Sequence, residues 1–394
     1  MSAAVHVAGI GMIPFTTPSK GALYTDMGAQ AIGEALADAG LSFDAVEQAY
    51  AGYVYGDSTS GQNVVYRAGL TGIPVINVNN NCSTGSTALY LARQAIAHGA
   101  ADCVLAVGFE QMTRGALQSY FADRPNPLDP FAEALARNQG YEPETPVAAQ
   151  FFGGGGREHM EKYGTSAESF AAIAVKARRH AARNPKAVFR EELSLEQILA
   201  SPMIFAPLTR LQCCPPTNGA AAAILCSDAF MRKHSLTKGA VIKAQAMATD
   251  TTATFDSGSR MDVIGFDMSS RAAQAVYEAS GIGPEDIRVC ELHDCFTANE
   301  LVTYESLGLT AEGTAERFIR DGDNSFGGRC VTNPSGGLLS KGHPLGATGL
   351  AQCYELVSQL RGTAGARQVE GARIALQHNL GLGGACVVTL YAQA

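Results

Sequence analysis

The sequence predicts an α/β protein built from two similar halves, with a long segment inserted into the first. Three observations carry that expectation: an internal repeat, a recurring alternation of apolar helix and strand patterns, and one stretch whose texture fits neither half. In the repeat, "GLSFDAVEQAYAGYVY" from position 40 aligns without a gap on "GIGPEDIRVCELHDCF" from position 281, an offset of 241 residues. At that offset "AQAIGEALADAG" (29–40) falls over "SRAAQAVYEASG" (270–281), and both end on a glycine suited to closing a helix. Helix, glycine, acidic turn and strand therefore occur twice.

The following elements repeat more loosely. "CSTGSTALYLARQAIAHG" followed by "ADCVLAVGFE" is similar to "GHPLGATGLAQCYELVSQLRG" followed by "ARIALQHNLGLGG", each a small-residue helix start, an apolar helix and a strand. "NGAAAAILCSDAF" (218–230) and "GGACVVTLYAQA" (383–394) read as the final strands of the two halves. Within the first half, roughly 113–206 holds "RPNPLDP", "FFGGGGREH" and a helix-like "SAESFAAIAVKARRHAARNP". A connection this long is functional or partly helical, and a lid-like insertion is expected there. The domain expectation is 1–112 with 207–237 as the first half, 113–206 as the insertion and 238–394 as the second half.

Composition narrows the function classes. A chain of 394 residues exceeds what one core usually supports, and 46% hydrophobic against 17% charged residues gives it a large core to bury. A net charge of −8 argues against a broad nucleic-acid surface. The start "MSAAVHVAGIGMIPF" lacks a signal-peptide pattern, and no window approaches the ~18 apolar residues of a membrane span. Ten cysteines without CxxC spacing point to a reducing compartment, and "TLYAQA" carries no peroxisomal tripeptide, so the cytoplasm is the expected location.

Four motifs carry chemistry. In "NNNCSTGS" (79–86), Cys82 opens a helix, where free N–H groups and the helix dipole are expected to lower its pKa; the alternative is a buried, inert thiol. In "ELHDCF" (291–296), a persisting strand would put Glu291, His293 and Cys295 on one face. A metal reading of Cys290, His293 and Cys295 needs a further ligand at an intelligible spacing, and no metal is expected. In "NPSGGLLSKGHPLGATG" (333–349), His343 stands at a turn before a helix, in the second half's equivalent of the Cys82 position. If the halves pack about a pseudo-twofold axis, these two helix starts face one another, and such pairs activate thiols. The glycine-rich "QHNLGLGGAC" (377–386) offers N–H groups for an oxyanion.

Taken together, "NVNNNC", "GREHMEKYG", "LQCCP", "NGAAAAIL", "GFDMS", "ELHDCF", "NPSGGLLSKGHPLGATGLAQC" and "LQHNLGLGGA" resemble the thiolase superfamily over essentially the whole chain, most nearly its sterol carrier protein-x branch. The resemblance implies a five-layered αβαβα fold, a loop domain in the first half, a homodimer, and coenzyme A as substrate with no tightly bound cofactor. It also implies a thiolase acting on 3-oxoacyl-CoA, in which Cys82 is the nucleophile and His343 its activator. Where better-known thiolases have Asn-Glu-Ala-Phe this chain has His293, Asp294, Cys295 and Phe296. Where they have Cys-x-Gly it reads Asn379, Leu380, Gly381, so Cys295 is the candidate second thiol and Cys386 structural. His293 would polarise the thioester oxygen, and the N–H groups of Cys82 and Gly381 would hold the acyl-enzyme carbonyl. Arg178, Arg179, Arg183 and Lys186 are candidates for the CoA phosphates, a solvated helix face being the alternative. Cys213 and Cys214 read as packing. The branch also has a carboxyl-terminal lipid-transfer domain, for which no counterpart is expected here. Competing readings are a thiolase-like retro-aldolase working with a partner protein, a class that lacks the nucleophilic cysteine, ketosynthase-like condensation, and a non-catalytic acyl-CoA or lipid-binding protein.

Overall fold

The computed structural model describes residues 4–113, 121–237 and 239–394. Its principal strands are β1 (Val5–Met12), β2 (Gln48–Gly52), β3 (Val75–Val78), β4 (Cys103–Glu110) and β5 (Gly219–Ser227), then β6 (Ala240–Ala248), β7 (Val289–Glu291), β8 (Val331–Thr332), β9 (Ile374–Leu380) and β10 (Cys386–Gln393). They join in the order β8-β7-β9-β10-β6-β1-β5-β4-β2-β3. Read outward from the centre, β1-β5-β4-β2-β3 and β6-β10-β9-β7-β8 are the same sheet made twice. The two sheets meet where Val5–Val7 of β1 pair antiparallel with Ala240–Ile242 of β6. In each sheet the inner pairings are antiparallel and the outer ones parallel. Strands covered on both faces carry unbroken apolar runs, and every residue of β4 and β5 is buried.

The helices of eight residues or more are α1 (Tyr24–Ala39), α2 (Ser60–Ala68), α3 (Thr84–Ala97), α4 (Asp129–Gln139), α5 (Val147–Tyr163), α6 (Ala167–Ala181), α7 (Phe266–Ser280), α8 (Thr297–Ser306) and α9 (Leu345–Leu360). The repeat is visible here too: α1 and α7 stop at Gly40 and Gly281, with φ of 70° and 68°. Helices α3 and α9 lie between the sheets, where Ala88, Leu89 and Ile96 pack with Leu350, Leu356 and Val357. On the outer faces, α1 and α2 cover the first sheet and α7 and α8 the second. The result is the five-layered arrangement of helix, sheet, helix, sheet, helix.

The two central helices touch at their first turns, and glycine permits it. A Cβ on Gly85 would lie 2.7 Å from the Gly346 carbonyl oxygen, and one on Gly349 would lie 2.2 Å from the Ser86 nitrogen. Any side chain there would push the helix starts, and the residues just ahead of them, apart.

Helices α4, α5 and α6 fall between β4 and β5 in sequence. The latter two are fastened to the second half by buried polar contacts: Lys176 to Glu300 of α8 and to Thr332 Oγ1 of β8 (2.6 Å), and His159 to Glu305 of α8 (3.1 Å), with Thr165 between α5 and α6 on its other ring nitrogen (2.8 Å). Among the described residues no helix is long and apolar enough to cross a membrane.

One local expectation fails. β7 ends at Glu291, and the Asp294 N–H turns back to the Leu292 carbonyl (3.1 Å), which breaks the alternation. Glu291 consequently faces Ser335, accepting from its N–H (3.0 Å) and hydroxyl (2.8 Å), away from His293 and Cys295.

Candidate active site

Cys82, His293, Cys295 and His343 line one cavity enclosing about 920 Å³, its open mouth included. Its remaining walls are largely apolar; Met112, Leu128, Phe151, Phe152, Phe296 and Leu345 contribute, with no charged side chain among the described residues that line it. Phe151 and Phe152 come from α5, so the insertion roofs the site.

Cys82 and His343 each stand two residues ahead of a central helix, α3 and α9. Before Cys82 the chain is knotted by its own side chains. Ser83 Oγ donates to the Asn80 carbonyl (2.7 Å), and Thr84 Oγ1 donates to the Asn81 carbonyl (2.6 Å) while accepting the Asn80 N–H (2.9 Å). Asn81 takes a left-handed φ of 52°, a conformation asparagine tolerates better than most residues. That turn aims the Cys82 side chain into the cavity.

The protonation of the two imidazoles follows from their partners. The Thr348 hydroxyl donates to the Pro344 carbonyl (3.0 Å), so at His343 Nδ1 (2.6 Å) it must accept. Nδ1 therefore carries the proton and Nε2 the lone pair. Among the described residues, His343 Nε2 is buried without a hydrogen-bond partner. At His293 the order is reversed. The Asn379 amide donates from Nδ2 to the Cys82 carbonyl (3.1 Å) and to His293 Nδ1 (3.0 Å), so His293 holds its proton on Nε2. Burial pushes His343 down to about 3, with Lys341 adding to it, and pushes His293 well below the usual imidazole range, with His343 and His378 adding to it. Both rings are neutral at neutral pH, one an acceptor and the other a donor.

The Cys82 thiol corrects an expectation. Burial pushes it up to about 12, with the Glu110 carboxyl adding to the shift and its own backbone N–H opposing it. A helix terminus supplies only about half a charge and acts within its first turn, which is less than the cost of placing a thiolate in an apolar cavity. The resting pair is thus a neutral thiol beside a neutral base.

Cys295 is raised well above the usual thiol range, by burial first and then by its neighbours Cys214 and Cys82. Cys214, a packing residue by its sequence context, also lines the cavity, and its N–H donates to the Cys295 carbonyl (2.8 Å). Cys290 is buried in β7, outside the cavity lining.

Gly381 does not take its expected place. Its N–H donates to the Ala385 carbonyl (2.8 Å) as β9 turns into β10, so that donor is used within the turn. Gly381 instead lets the strand end press on the Cys82 turn: a Cβ there would lie 2.3 Å from the Asn80 carbonyl oxygen.

The basic cluster does not line the cavity either. Arg178 lies over the Phe189 ring (4.6 Å) and Arg183 over Phe326 (4.2 Å). Lys186 bonds the Met12 carbonyl and approaches Glu34 (3.5 Å), while Arg179 is exposed. Arg183 and Lys186 border a separate depression with Tyr354 and Arg367. Much of this charge packs on aromatic faces or meets local acceptors.

Sequence reasoning misses three supports. Thr348 sets the His343 tautomer. Asn379 stands out in the sequence only as a departure from a motif, yet it joins His293 to Cys82. Glu110, the last residue of β4, is buried and accepts from the N–H groups of Val54 (3.1 Å), Tyr55 (2.9 Å) and Gly346 (3.0 Å), tying the cavity wall to the start of α9. Burial pushes its carboxyl up to about 7. An acid ending an apolar strand, as in "VGFE", looks like a solvated strand end.

A duplicated five-layered α/β fold with a thiol and an imidazole on facing helix starts defines a class of acyl-transfer proteins. Residues 5–229 match the family described as the thiolase N-terminal domain, and residues 249–391 that described as thiolase C-terminal domain-like. The chain belongs to the thiolase superfamily of acyltransferases. It is 57% identical to sterol carrier protein 2 of Bos taurus over 390 residues, 98% of this chain and 72% of that protein. Among solved structures, the Ltp2-ChsH2(DUF35) aldolase superposes with a TM-score of 0.84 at 28% identity, covering 99% of this chain and 98% of that one. Human mitochondrial 3-ketoacyl-CoA thiolase in complex with CoA superposes with a TM-score of 0.74 at 19% identity, over 100% of this chain and 98% of that one, a likeness of fold.

Proposed function

We propose that the chain is a 3-oxoacyl-CoA thiolase that transfers an acyl group to coenzyme A through a Cys82 acyl-enzyme, in fatty-acid or sterol side-chain β-oxidation. The observation that carries this reading is the pair of opposed tautomers around the thiol: His343 Nε2 accepts and His293 Nε2–H donates.

In the first half-reaction His343 Nε2 takes the Cys82 proton and the sulfur attacks the 3-keto carbon. The new His343 Nε2–H donates to the developing oxyanion, which offsets charge where it forms. Collapse breaks the C2–C3 bond and leaves an acyl-enzyme and an enolate. Cys295 protonates the enolate carbon, and His293 Nε2–H donates to its thioester oxygen. In the second half-reaction the Cys295 thiolate takes the proton of incoming CoA, whose sulfur attacks the acyl group. Cys82 leaves as thiolate and regains its proton from His343. With the Gly381 donor used elsewhere, the Cys82 N–H and the two imidazoles are left to donate to the acyl carbonyl. The high resting pKa of Cys82 fits this scheme, since the thiolate is made only when a substrate can receive it.

In the same reading, 1–112 with 207–237 and 238–394 are the two halves, 113–206 is the roof, coenzyme A is a substrate, and the protein is cytoplasmic. A homodimer is supported by β3, the outermost strand of the first sheet, with Asn77 exposed upon it and Tyr66 and Leu70 exposed in and just after the neighbouring α2.

The test is intact-protein mass spectrometry after mixing with a 3-oxoacyl-CoA in the absence of free CoA. An acyl adduct that added CoA discharges, and that Cys82→Ser lacks, is expected. Turnover with no adduct, or full activity in Cys82→Ser, would favour a retro-aldolase working with a partner protein, a second reading supported by the 28% identity to the Ltp2-ChsH2(DUF35) aldolase.

A further inference from the structure

The reaction above uses Cys82, His293 and His343 in turn, but the structure also brings them together as a set. The Cys82 sulfur and one ring nitrogen from each histidine lie within 4.8 Å of one another. The two rings meet edge to face, with centroids 5.1 Å apart. His343 is the best prepared of the three: its Nε2 is buried with no partner among the described residues, and its Nδ1–H is held by Thr348 (2.6 Å). A ring with one nitrogen fixed as a donor and the other bare is what metal-bound histidines show. A sulfur with two imidazole nitrogens suits zinc, at bond lengths of about 2.3 Å to sulfur and 2.0–2.1 Å to nitrogen. Among the described residues the cavity lining offers no carboxylate, so a hard cation such as magnesium or calcium has little to bind there.

We propose that Cys82, His293 and His343 form a binding site for one thiophilic divalent cation, Zn²⁺ in the first instance, whose occupation blocks the cavity. On binding, the Cys82 S–H bond breaks, a Zn–S bond forms and the proton leaves to solvent; no electron changes hands. His343 ligates through Nε2 as it stands. His293 joins when its proton passes from Nε2 to Nδ1 and the Asn379 amide turns over, giving its unpartnered Oδ1 to the new N–H and releasing the Cys82 carbonyl. The fourth position faces the cavity, where substrate would enter, so zinc and an acyl substrate exclude one another. The site rests on the geometry of the trio and holds whether or not thiolysis is the reaction.

The experiment is titration of the chelator-treated, full chain with ZnCl₂ by calorimetry, repeated with CdCl₂ to read the ultraviolet sulfur-to-cadmium charge-transfer band. One zinc per chain is expected, with no binding after iodoacetamide has blocked Cys82. In Cys82→Ala and His343→Ala, with folding checked by circular dichroism, affinity should fall by more than about 100-fold, beyond the 10–100-fold that loss of an outer-sphere partner costs. Unchanged affinity in either folded variant would overturn the proposal. So would loss of binding in Cys295→Ala or Cys214→Ala with Cys82→Ala unaffected, because the site would then be the thiol pair. Absence of binding to the unmodified chain at micromolar zinc would overturn it as well.

Discussion

The start of α3 and the start of α9 occupy equivalent places in two copies of one sheet-and-helix unit, yet they prepare opposite partners. At α3 the turn before the helix is held by Ser83 and Thr84 bonding the carbonyls of Asn80 and Asn81, and it delivers a thiol. At α9 the turn is held by contacts from elsewhere in the chain: Thr217 Oγ1 accepts the His343 N–H (2.6 Å) and Glu110 accepts the Gly346 N–H (3.0 Å). The thiol's turn is braced largely by its own side chains, with the second half adding the Asn379 amide on the Cys82 carbonyl (3.1 Å) and the Leu382 carbonyl that accepts from Asn81 Nδ2 (2.8 Å), while the base's turn depends on the first half. Duplication supplied two matched positions, and divergence made one the proton donor and the other its acceptor.

Removing either partner breaks this pairing, with unequal cost. Cys82→Ala removes the atom that would carry the acyl group and should reduce kcat by on the order of 10,000-fold or more, with no adduct by mass spectrometry. His343→Ala leaves the nucleophile but removes its base. In a cavity that pushes the thiol to about 12, steady-state assays should show a loss of roughly 100- to 10,000-fold in kcat. If His343→Ala retained near-normal kcat, the tautomer argument for the base would fail.

Thr348→Val sharpens the comparison, because it nearly keeps the side chain's volume and deletes the acceptor at His343 Nδ1. The imidazole can then take either tautomer, and a loss of about 10- to 100-fold in kcat with a nearly constant KM is expected. Thr348→Ser, which restores a hydroxyl, should recover most of it. Equal loss in both variants would mean that Thr348 acts through packing alone.

The residues that do chemistry are more legible in the sequence than those that support them. Cys82 and His343 stand in small-residue contexts ahead of apolar helices, and the 241-residue repeat gives a reason for them to meet. Thr348 and Glu110 give no comparable signal, since their roles depend on which hydroxyl or backbone N–H the fold brings near. The fold is legible because its repeat is written in helix ends and apolar strands, which are local features. Two errors share one cause: the Gly381 donor and the lowered Cys82 pKa are inferences from local backbone features, while a turn to Ala385 and the burial of the thiol, both tertiary, decide them.

The smallest predicted effect separates the helix terminus from the carboxyl beneath it. Glu110 adds to the burial that raises Cys82, and its own carboxyl titrates at about 7. In Glu110→Gln the position stays neutral at every pH. The Cys82 thiol should therefore titrate at lower pH than in the unaltered protein, and alkylation by iodoacetamide should be faster, by roughly 3- to 10-fold for a shift of about half to one pH unit. The sign of the difference has a window. Above pH 7 the native Glu110 is ionised and opposes the thiolate, so the two alkylation rates diverge; below pH 7 it is protonated and they converge. The amide of the Glu110→Gln variant would also present an N–H₂ group to one of the three N–H groups that Glu110 now accepts, and that mismatch should lower stability by about 1–3 kcal/mol in denaturant titrations. Lost stability with no pH-dependent divergence in alkylation would make Glu110 a structural tie between the cavity wall and α9, without electrostatic influence on Cys82. Divergence that persists unchanged down to about pH 5 would place the titration of Glu110 well below its usual buried range, nearer that of an ordinary carboxylate.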